Sequence, residues 1–500
     1  MNRLVMLALG LIALSGTAAA KDLAGVYEDA LRSDPLIRQA DANRLAAREA
    51  RPQAWSAVLP QIVGSASVLR DHSSGYQDTV NEIPNPNPLL PPALVVLPLP
   101  TTIDTTTRGW AVNLRSNLFS WTNWMQIKAA STEVAQAEAN YQAAEQDLIL
   151  RVSVAYFLVL SAEANVEANT ASLEAITRQL DQANKRFDVG LIAITDVQDA
   201  KAGHDNAAAA VIQAKRQLAT AQYRLQEITG QQYDRLSRPG ADLPLKGPEP
   251  VDESAWVDIS LSQNLSLISS RLAADIARDN VRAAIGGHLP TLDLVAGRSY
   301  TKAESDQNID YLPFSGVDSK FNDRQIGLQF TLPIFSGGFT QSKVRENQYR
   351  WIAAKEAVVQ SSRATERQAR VAYLGVISGI ARVQALRQAR ESSQTALKAT
   401  EAGYDVGTRT SVDVLAARRV LVQAETDYAN SKYDYIVSVL QLREAAGTLD
   451  RAQLLEVNAW LTVDAPTAPA NATPQNVLPD VPPPQPTSPP PGAAQGGSAR

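Results

Sequence analysis

Four short segments of the chain alternate apolar and polar residues, a pattern that is typical of β-strands with two different faces. In the clearest of them, 325–334, apolar residues occupy every second position from Ile326 to Ile334, and Gln325 and Gln329 lie among the polar ones. The other three segments are 61–71, 108–118 and 291–301. At about ten residues each, they have the length and the apolar-out, polar-in alternation of strands in a membrane barrel. Half-buried strands of a soluble protein alternate in the same way, so the pattern alone leaves both structures open.

Two long stretches without proline, 101–238 and 334–465, predict long helices. Proline would break a helix interior, and the Ala, Gln, Glu, Arg and Leu that dominate these stretches favour one. A helix over about 123–187 would be on the order of 100 Å long, because each residue adds about 1.5 Å. Small apolar residues at three- and four-residue spacing would let such helices pack closely. A plain coiled-coil rod is the alternative that this pattern leaves open.

The same motifs return in both halves of the chain, so we interpret it as two copies of one unit. The motif at 186–190 (RFDVG) returns 217 positions later at 403–407 (GYDVG), and Leu59-Pro60 returns as Leu289-Pro290. Each repeat is predicted to contain a helix, a β-hairpin, a long helix, a turn and a shorter helix. The predicted boundaries are a signal peptide at 1–20, a first repeat at 21–230 with its hairpin at 61–118 and its turn at 188–195, a linker or equatorial region at 231–258, a second repeat at 259–447 with its hairpin at 291–334 and its turn at 405–412, an equatorial segment at 448–463, and a disordered proline-rich tail at 464–500.

The N-terminal residues predict export from the cytoplasm. Arg3 precedes an apolar run at 4–14, and small residues at 18–20 stand before Lys21, as in a secretory signal peptide. No uninterrupted run of 18 or more apolar residues follows, so we expect any membrane-spanning element to be a β-strand. Four strands cannot close a barrel, and unpaired strand edges are not tolerated in lipid. Several chains must therefore share one barrel.

Composition argues against several classes of function. The chain has no cysteine, which excludes disulfides, zinc–thiolate sites, thiol catalysis and a lipid-bearing N-terminal cysteine. The net charge is −5, from 47 basic and 52 acidic residues, and no basic run occurs, so we expect no nucleic-acid partner. His72, His204 and His288 lack metal-ligand spacing, and no P-loop, dinucleotide or G-x-S-x-G motif occurs. We therefore expect no enzyme activity, no metal and no cofactor.

Three segments resemble the TolC outer membrane efflux family closely: VGLIAITDVQ at 189–198, GGHLPTLDL at 286–294 and AGYDVGTRT at 402–410. They lie at the predicted turns and at a predicted junction between helix and strand. The resemblance implies an α+β membrane protein, a homotrimer with a twelve-stranded outer-membrane β-barrel to which each chain gives four strands. It also implies that a long periplasmic α-helical barrel of coiled coils continues this β-barrel.

The resemblance further implies a channel in the outer membrane, with a periplasmic extension, that exports small molecules, proteins or both. Such channels work without catalysis of their own, together with an inner-membrane ABC, RND or MFS transporter and a periplasmic adaptor (membrane fusion) protein, in type I secretion or multidrug efflux. The substrates and the particular pump stay open. The alternative is a periplasmic coiled-coil scaffold or adaptor without a channel, which would not need lipid-facing Trp110, Leu328 and Phe330.

The family's functional residues fall on the two predicted turns. The resemblance implies periplasmic gate links formed by Thr195, Asp196, Tyr404 and Arg409, and an acidic constriction ring formed by Asp413. It also implies adaptor docking at Val189, Gly190, Leu191, Val406, Gly407 and Thr408. Solvent-exposed turn residues without such roles are the simpler alternative.

One acidic position departs from the family pattern. The family has a second aspartate three residues after the position of Asp413, where this chain has Ala416, and the corresponding place in the first repeat is Asp199. We therefore predict that Asp199 supplies a second acidic ring. The alternative is that Asp199 points outward, which would leave a single ring.

Overall fold

The computed structural model describes residues 20–87, 89, 91–240, 243–309 and 312–466. The predicted signal peptide lies outside the described residues except for Ala20, and so does the predicted tail beyond Pro466. The helices are α1 Leu23–Ser33, α2 Pro35–Arg48, α3 Ala50–Ser56, α4 Trp121–Asp188, α5 Ile194–Thr229, α6 Glu253–Gln263, α7 Leu265–Ile285, α8 Phe339–Asp405, α9 Ser411–Ala445 and α10 Arg451–Asn458. The strands are β1 Gln61–Ile83, β2 Ala93–Phe119, β3 Arg235–Pro239, β4 Thr291–Ile309, β5 Leu312–Thr331 and β6 Leu461–Pro466.

The four long strands form one antiparallel sheet in the order β1-β2-β4-β5. The hairpins of the two repeats meet where β2 pairs with β4, so β1 and β5 are left as the edges of the sheet within one chain. The ends of the strands nearest the long helices are Gln61, Phe119, Thr291 and Thr331. The hairpin ends therefore point away from the helical part of the molecule.

The strands differ in length from those predicted. β1 continues to Ile83 and β2 begins at Ala93, so residues that we expected in hairpin loops are paired in the sheet, as His72 is with Asp104. The prediction of loops there was wrong because it followed apolar alternation, which stops where the sheet has polar residues on both faces, whereas backbone pairing continues. At the other end, β5 stops at Thr331, three residues before the predicted end at Ile334.

The long helices lie where the absence of proline predicted them. α4 has 68 residues and α8 has 67, so each is on the order of 100 Å long. α4 begins two residues before the predicted Asn123, because the Ser120 side chain caps it by accepting from the Asn123 N–H at 3.4 Å. Each long helix reverses into a shorter partner, α5 or α9, to form an antiparallel coil.

The main core lies where the middle of α4 packs against α1, α9 and β3. Tyr156 is completely buried there, and its hydroxyl donates to the Ser237 carbonyl at 2.6 Å. Burial raises the pKa of Tyr156. Part of α4 is apolar enough to cross a membrane by length and composition, but half of this part is buried inside the chain. Its apolar character is therefore explained by the core.

The region predicted as a linker, 231–258, contains β3 and the start of α6. β3 pairs with β6 and buries Leu236 completely, so this region closes the core. β3 could not be recognised from the sequence, because it is only five residues long and lies in a segment rich in proline and glycine. The domain boundaries drawn from the sequence stay a prediction.

Candidate functional site

The first coil reverses at a tight turn after α4. The helix ends at Asp188, and Gly190 adopts a left-handed conformation with a φ of +74°. The N–H groups of Gly190 and Leu191 donate to the carbonyls of Phe187 and Arg186, each at 2.8 Å, and so satisfy carbonyls of the last helical turn. Because any other L-residue would be strained at this φ, the backbone of the turn favours glycine.

The second coil reverses in the same way after α8. The helix ends at Asp405, and Gly407 has a φ of +77°. The N–H of Gly407 donates to the Tyr404 carbonyl at 3.1 Å, and that of Thr408 donates to the Gly403 carbonyl at 2.8 Å. The two repeats thus build one backbone turn twice.

Apolar side chains are exposed at both turns. Val189 and Leu191 are 70% and 73% exposed at the first turn, and Val406 is 75% exposed at the second. A Cβ atom added to Gly190 or Gly407 would meet nothing within 4 Å, so the glycines leave open space. Apolar residues that project into solvent beside such open space form a surface suited to contact with another protein.

The two turns differ in how the following helix begins. The Asp413 carboxylate accepts from the N–H of Thr410 at 2.9 Å and from its hydroxyl at 3.0 Å, which forms a capping box. The backbone hydrogen bond from Thr410 holds the pKa of Asp413 below its usual value. In the first repeat, Ala193 is the N-cap residue and has no side-chain hydrogen bond to give. Asp196, the counterpart of Asp413, is therefore free of a local cap.

The predicted gate residues all lie at the turns, but one protomer does not join them. Thr195 and Arg409 are exposed, and Asp196 and Tyr404 are half-buried. Within the described part of one protomer, no hydrogen bond links Asp196 to Tyr404 or to Arg409. Links between neighbouring subunits lie outside a single protomer, so the gate bonds stay a prediction.

Sequence reasoning missed contacts that join the two coils to each other. The Arg186 guanidinium lies over the Tyr404 ring, 5.1 Å from its centroid, and 3.9 Å from the Asp405 carboxylate. On the shorter helices, a Cβ atom at Gly203 would come within 3.0 Å of two methyl carbons of Leu415. The one visible signal for the first contact was that Arg186 is replaced by glycine in the second copy of the motif.

The two predicted ring residues differ in exposure. Asp413 is half-buried at the start of α9, whereas Asp199 is exposed on α5, as its counterpart Ala416 is on α9. The neighbours Val197 and Ala200 are buried against Ala183, which directs them toward α4 within the coil. Among the described residues, no group of three or more His, Cys, Asp or Glu is arranged to hold a metal ion.

The family model for outer membrane efflux proteins matches residues 26–231 and 256–448. The chain belongs to this family. The two matched blocks correspond to the two repeats. Each block contains one of the two turns, that of Gly190 or that of Gly407.

Curated relatives support the same assignment for this outer membrane efflux protein. Outer membrane protein TolC of Vibrio cholerae is 36% identical over 451 residues, which cover 90% of this chain and 96% of the relative. TolC of Escherichia coli is 34% identical over 473 residues, which cover 94% and 91%. The alkaline protease secretion protein AprF of Pseudomonas aeruginosa is 26% identical over 446 residues, which cover 89% and 88%.

Solved structures have the same fold as this efflux protein. The outer membrane protein VceC of Vibrio cholerae matches with a TM-score of 0.65 at 22% identity, covering 85% of this chain and 96% of VceC. The CmeC outer membrane channel of Campylobacter jejuni also gives 0.65, at 20% identity, covering 88% and 90%. The family model and the TolC relatives place the efflux protein in the outer membrane as a TolC-type channel with a periplasmic tunnel, and a scaffold without a channel is not favoured.

Proposed function

We propose that the chain assembles as a homotrimer whose subunits together form one export channel. The observation that carries the proposal is the four-stranded sheet with two free edges, β1 and β5. Three such sheets, joined edge to edge, make a closed barrel of twelve strands and remove every unpaired edge from lipid. The same three chains bring together three pairs of coils, which continue the passage over on the order of 100 Å.

The proposed channel exports cargo without a reaction of its own. It works with an inner-membrane ABC, RND or MFS transporter and a periplasmic adaptor protein. Support comes from the relatives, which include the TolC proteins and secretion proteins for proteases, AprF and PrtF. A tunnel shared with a separate pump needs no cargo pocket, so the pump selects the cargo.

The adaptor docks, in this proposal, at the two exposed turns. The contact residues are Val189, Gly190, Leu191, Val406, Gly407 and Thr408. Val189, Leu191 and Val406 offer apolar surface, and the open space at the two glycines lets a partner's backbone approach closely. Because the same turn occurs twice in each subunit, six similar docking places surround the tip of a trimer.

The gate of the proposed channel is a set of bonds between neighbouring coils at this tip. Asp196 accepts from the Tyr404 hydroxyl and from the Arg409 guanidinium, and Thr195 adds a hydroxyl beside them. The N-cap residue Ala193 has no hydroxyl that could donate to the Asp196 carboxylate. This supports the proposal, because a carboxylate without a local partner is available for a bond to a neighbouring coil. Docking of the adaptor would compete with these bonds and open the tip.

Asp413 and Asp199 form two rings of three acids in the constriction. Three carboxylates that converge on a threefold axis repel one another and attract cations, so the entrance selects cations. The hydrogen bonds from Thr410 lower the pKa of Asp413 and so oppose the rise that repulsion among the three carboxylates would cause.

Electrophoresis of unboiled protein and conductance in planar bilayers test the channel proposal. The mature chain should run as a trimer and should form discrete pores. Replacing Tyr404 by Phe together with Arg409 by Ser should raise the single-channel conductance, because both gate donors are lost. A monodisperse monomer that stays soluble without detergent would refute the channel, and unchanged conductance in the double variant would refute the gate alone.

A further inference from the structure

Aromatic residues mark both boundaries of the apolar face of the sheet. Trp121 and Trp124 stand at the helical end, and Trp110 and Tyr300, which are directly paired, stand toward the hairpin ends. Phe119 lies nine residues from Trp110, or about 23 Å along the barrel axis if the strands tilt by about 40°. This distance fits the apolar band of an outer-membrane barrel, about 25 Å tall. The pair of Trp110 and Tyr300 therefore marks the outer leaflet.

Two arginines face each other just inside this outer boundary. Arg298 and Arg324 are directly opposite on β4 and β5, and both are exposed. They lie on the same face as Ile326 and Leu328, because residues two apart on a strand share a face. Among the described residues, no carboxylate forms an ion pair with either of them. Two like charges directly opposite each other destabilise a sheet, and the apolar surroundings increase the penalty.

The next cationic pair toward the hairpin ends is different because it has its own counter-charges. Lys302 and Lys320 are directly opposite on the same two strands. Lys302 is paired with Glu304 and lies 4.0 Å from the Asp318 carboxylate. Lys302 thus has its counter-charges within the chain, whereas Arg298 and Arg324 have none among the described residues and need an anion from elsewhere.

The surroundings of the arginine pair fit the anionic headgroup of a lipid. Arg298 is two residues from Tyr300, about 5 Å along the barrel axis, which a long arginine side chain spans by snorkelling toward the headgroups. Paired guanidinium groups bind phosphate through forked hydrogen bonds.

We propose that Arg298 and Arg324 together bind a phosphate group of the phosphorylated glycolipid of the outer leaflet. The bound phosphate removes the repulsion between the two guanidinium groups, so the lipid stabilises the β4–β5 hairpin. The proposal depends on the placement of the chain in the outer membrane. It does not depend on conductance or on the gate.

Native mass spectrometry of the detergent-solubilised full assembly, titrated with bisphosphorylated lipid A, tests this proposal. The double variant Arg298→Gln/Arg324→Gln should bind lipid A at least roughly tenfold more weakly than the wild type, because two charged hydrogen-bond donors are lost. The matched variant Lys302→Gln/Lys320→Gln removes the same charge from the pair in which Lys302 has its own counter-charges, and it should bind within about threefold of wild type. Lipid A with its phosphates removed should bind the wild type as weakly as lipid A binds the double arginine variant.

Thermal unfolding separates binding from a folding defect. Without lipid, Arg298→Gln/Arg324→Gln should be at least as stable as the wild type, because the repulsion is gone. Added lipid A should raise the melting temperature of the wild type and of the lysine variant but not that of the arginine variant. Equal losses in both double variants would overturn the proposal in favour of a general basic surface. Unchanged binding in the arginine variant, full binding of dephosphorylated lipid, or displacement of lipid A by equimolar inorganic phosphate would also overturn it.

Discussion

Replacing Ala193 by Thr should loosen the proposed gate without touching any gate residue. Ala193 has a φ of −81° and a ψ of 156°, close to the −94° and 165° of Thr410, so the introduced hydroxyl would stand as the Thr410 hydroxyl does. The new hydroxyl would donate to the Asp196 carboxylate, as the Thr410 hydroxyl donates to Asp413 at 3.0 Å, and would accept from the Asp196 N–H, as the Thr410 hydroxyl accepts from the Asp413 N–H at 3.2 Å. A carboxylate engaged in this local cap competes poorly for bonds to a neighbouring coil.

The size of the effect follows from the strength of such caps. A Thr N-cap is worth about 1 kcal/mol relative to Ala, and 1.4 kcal/mol corresponds to a factor of about ten. Ala193→Thr should therefore shift each Asp196 away from its gate bonds by roughly fivefold. Single-channel conductance in planar bilayers should rise toward that of the variant lacking the Tyr404 and Arg409 donors.

Ala193→Val is the matched control, because valine has nearly the same shape as threonine but lacks the hydroxyl. Its conductance should stay close to that of the wild type. If Ala193→Thr leaves conductance unchanged while loss of the Tyr404 and Arg409 donors raises it, Asp196 is not the acceptor in the gate. If Ala193→Val opens the channel equally, the shape of the side chain matters and not its capping hydroxyl.

Three further predictions address the acidic rings, the pH dependence and the core. Block of the channel by a trivalent cation should weaken comparably in Asp199→Asn and in Asp413→Asn, whereas block at the wild-type level in Asp199→Asn would show that Asp199 faces outward. Burial raises the pKa of Glu163 to about 7 against the opposing effect of Arg238, so stability should decline as pH rises from about 4.5 toward 7. Melting curves at pH 5 and pH 7.5 should show that Glu163→Gln loses this decline, and an unchanged decline would contradict the assignment. Tyr156→Phe should lower the free energy of unfolding by roughly 1–3 kcal/mol, because the buried Ser237 carbonyl loses its donor. The control Tyr349→Phe, at an exposed position, should change this free energy little, and equal effects of the two substitutions would contradict the reasoning.

The long helices and the turns could be predicted from the sequence because their determinants are local. The absence of proline from 101–238 predicted α4 to within two residues at its start and one at its end. Gly190 and Gly407 predicted the reversals, because a left-handed residue ends a helix wherever it stands. The motif Thr410-x-x-Asp413 also matches the capping-box pattern, so that cap could have been predicted as well.

The ends of the strands and the pairing of β3 with β6 could not be predicted, because they depend on partners distant in sequence. Beyond the apolar band, β1 continues to Ile83 only because β2 runs beside it. β3 pairs with a strand more than 200 residues later, and no local pattern in five residues indicates that partner. The contact of Arg186 with Tyr404 likewise joins two turns whose separation in space the sequence does not encode locally.

In the proposed channel, the two turns of the duplicated motif have different roles, and the structure of each turn suits its role. Both turns have the same backbone, so their chemistry differs only through side chains such as Ala193 and Thr410. Thr410 ties Asp413 to its own helix, which fixes a charged group at the start of α9 and suits it to a permanent ring. Ala193 leaves Asp196 without a local partner, which suits that carboxylate to bonds that must form and break. In the proposed channel, a single difference at the N-cap position thus separates the fixed carboxylate of the ring from the exchangeable carboxylate of the gate.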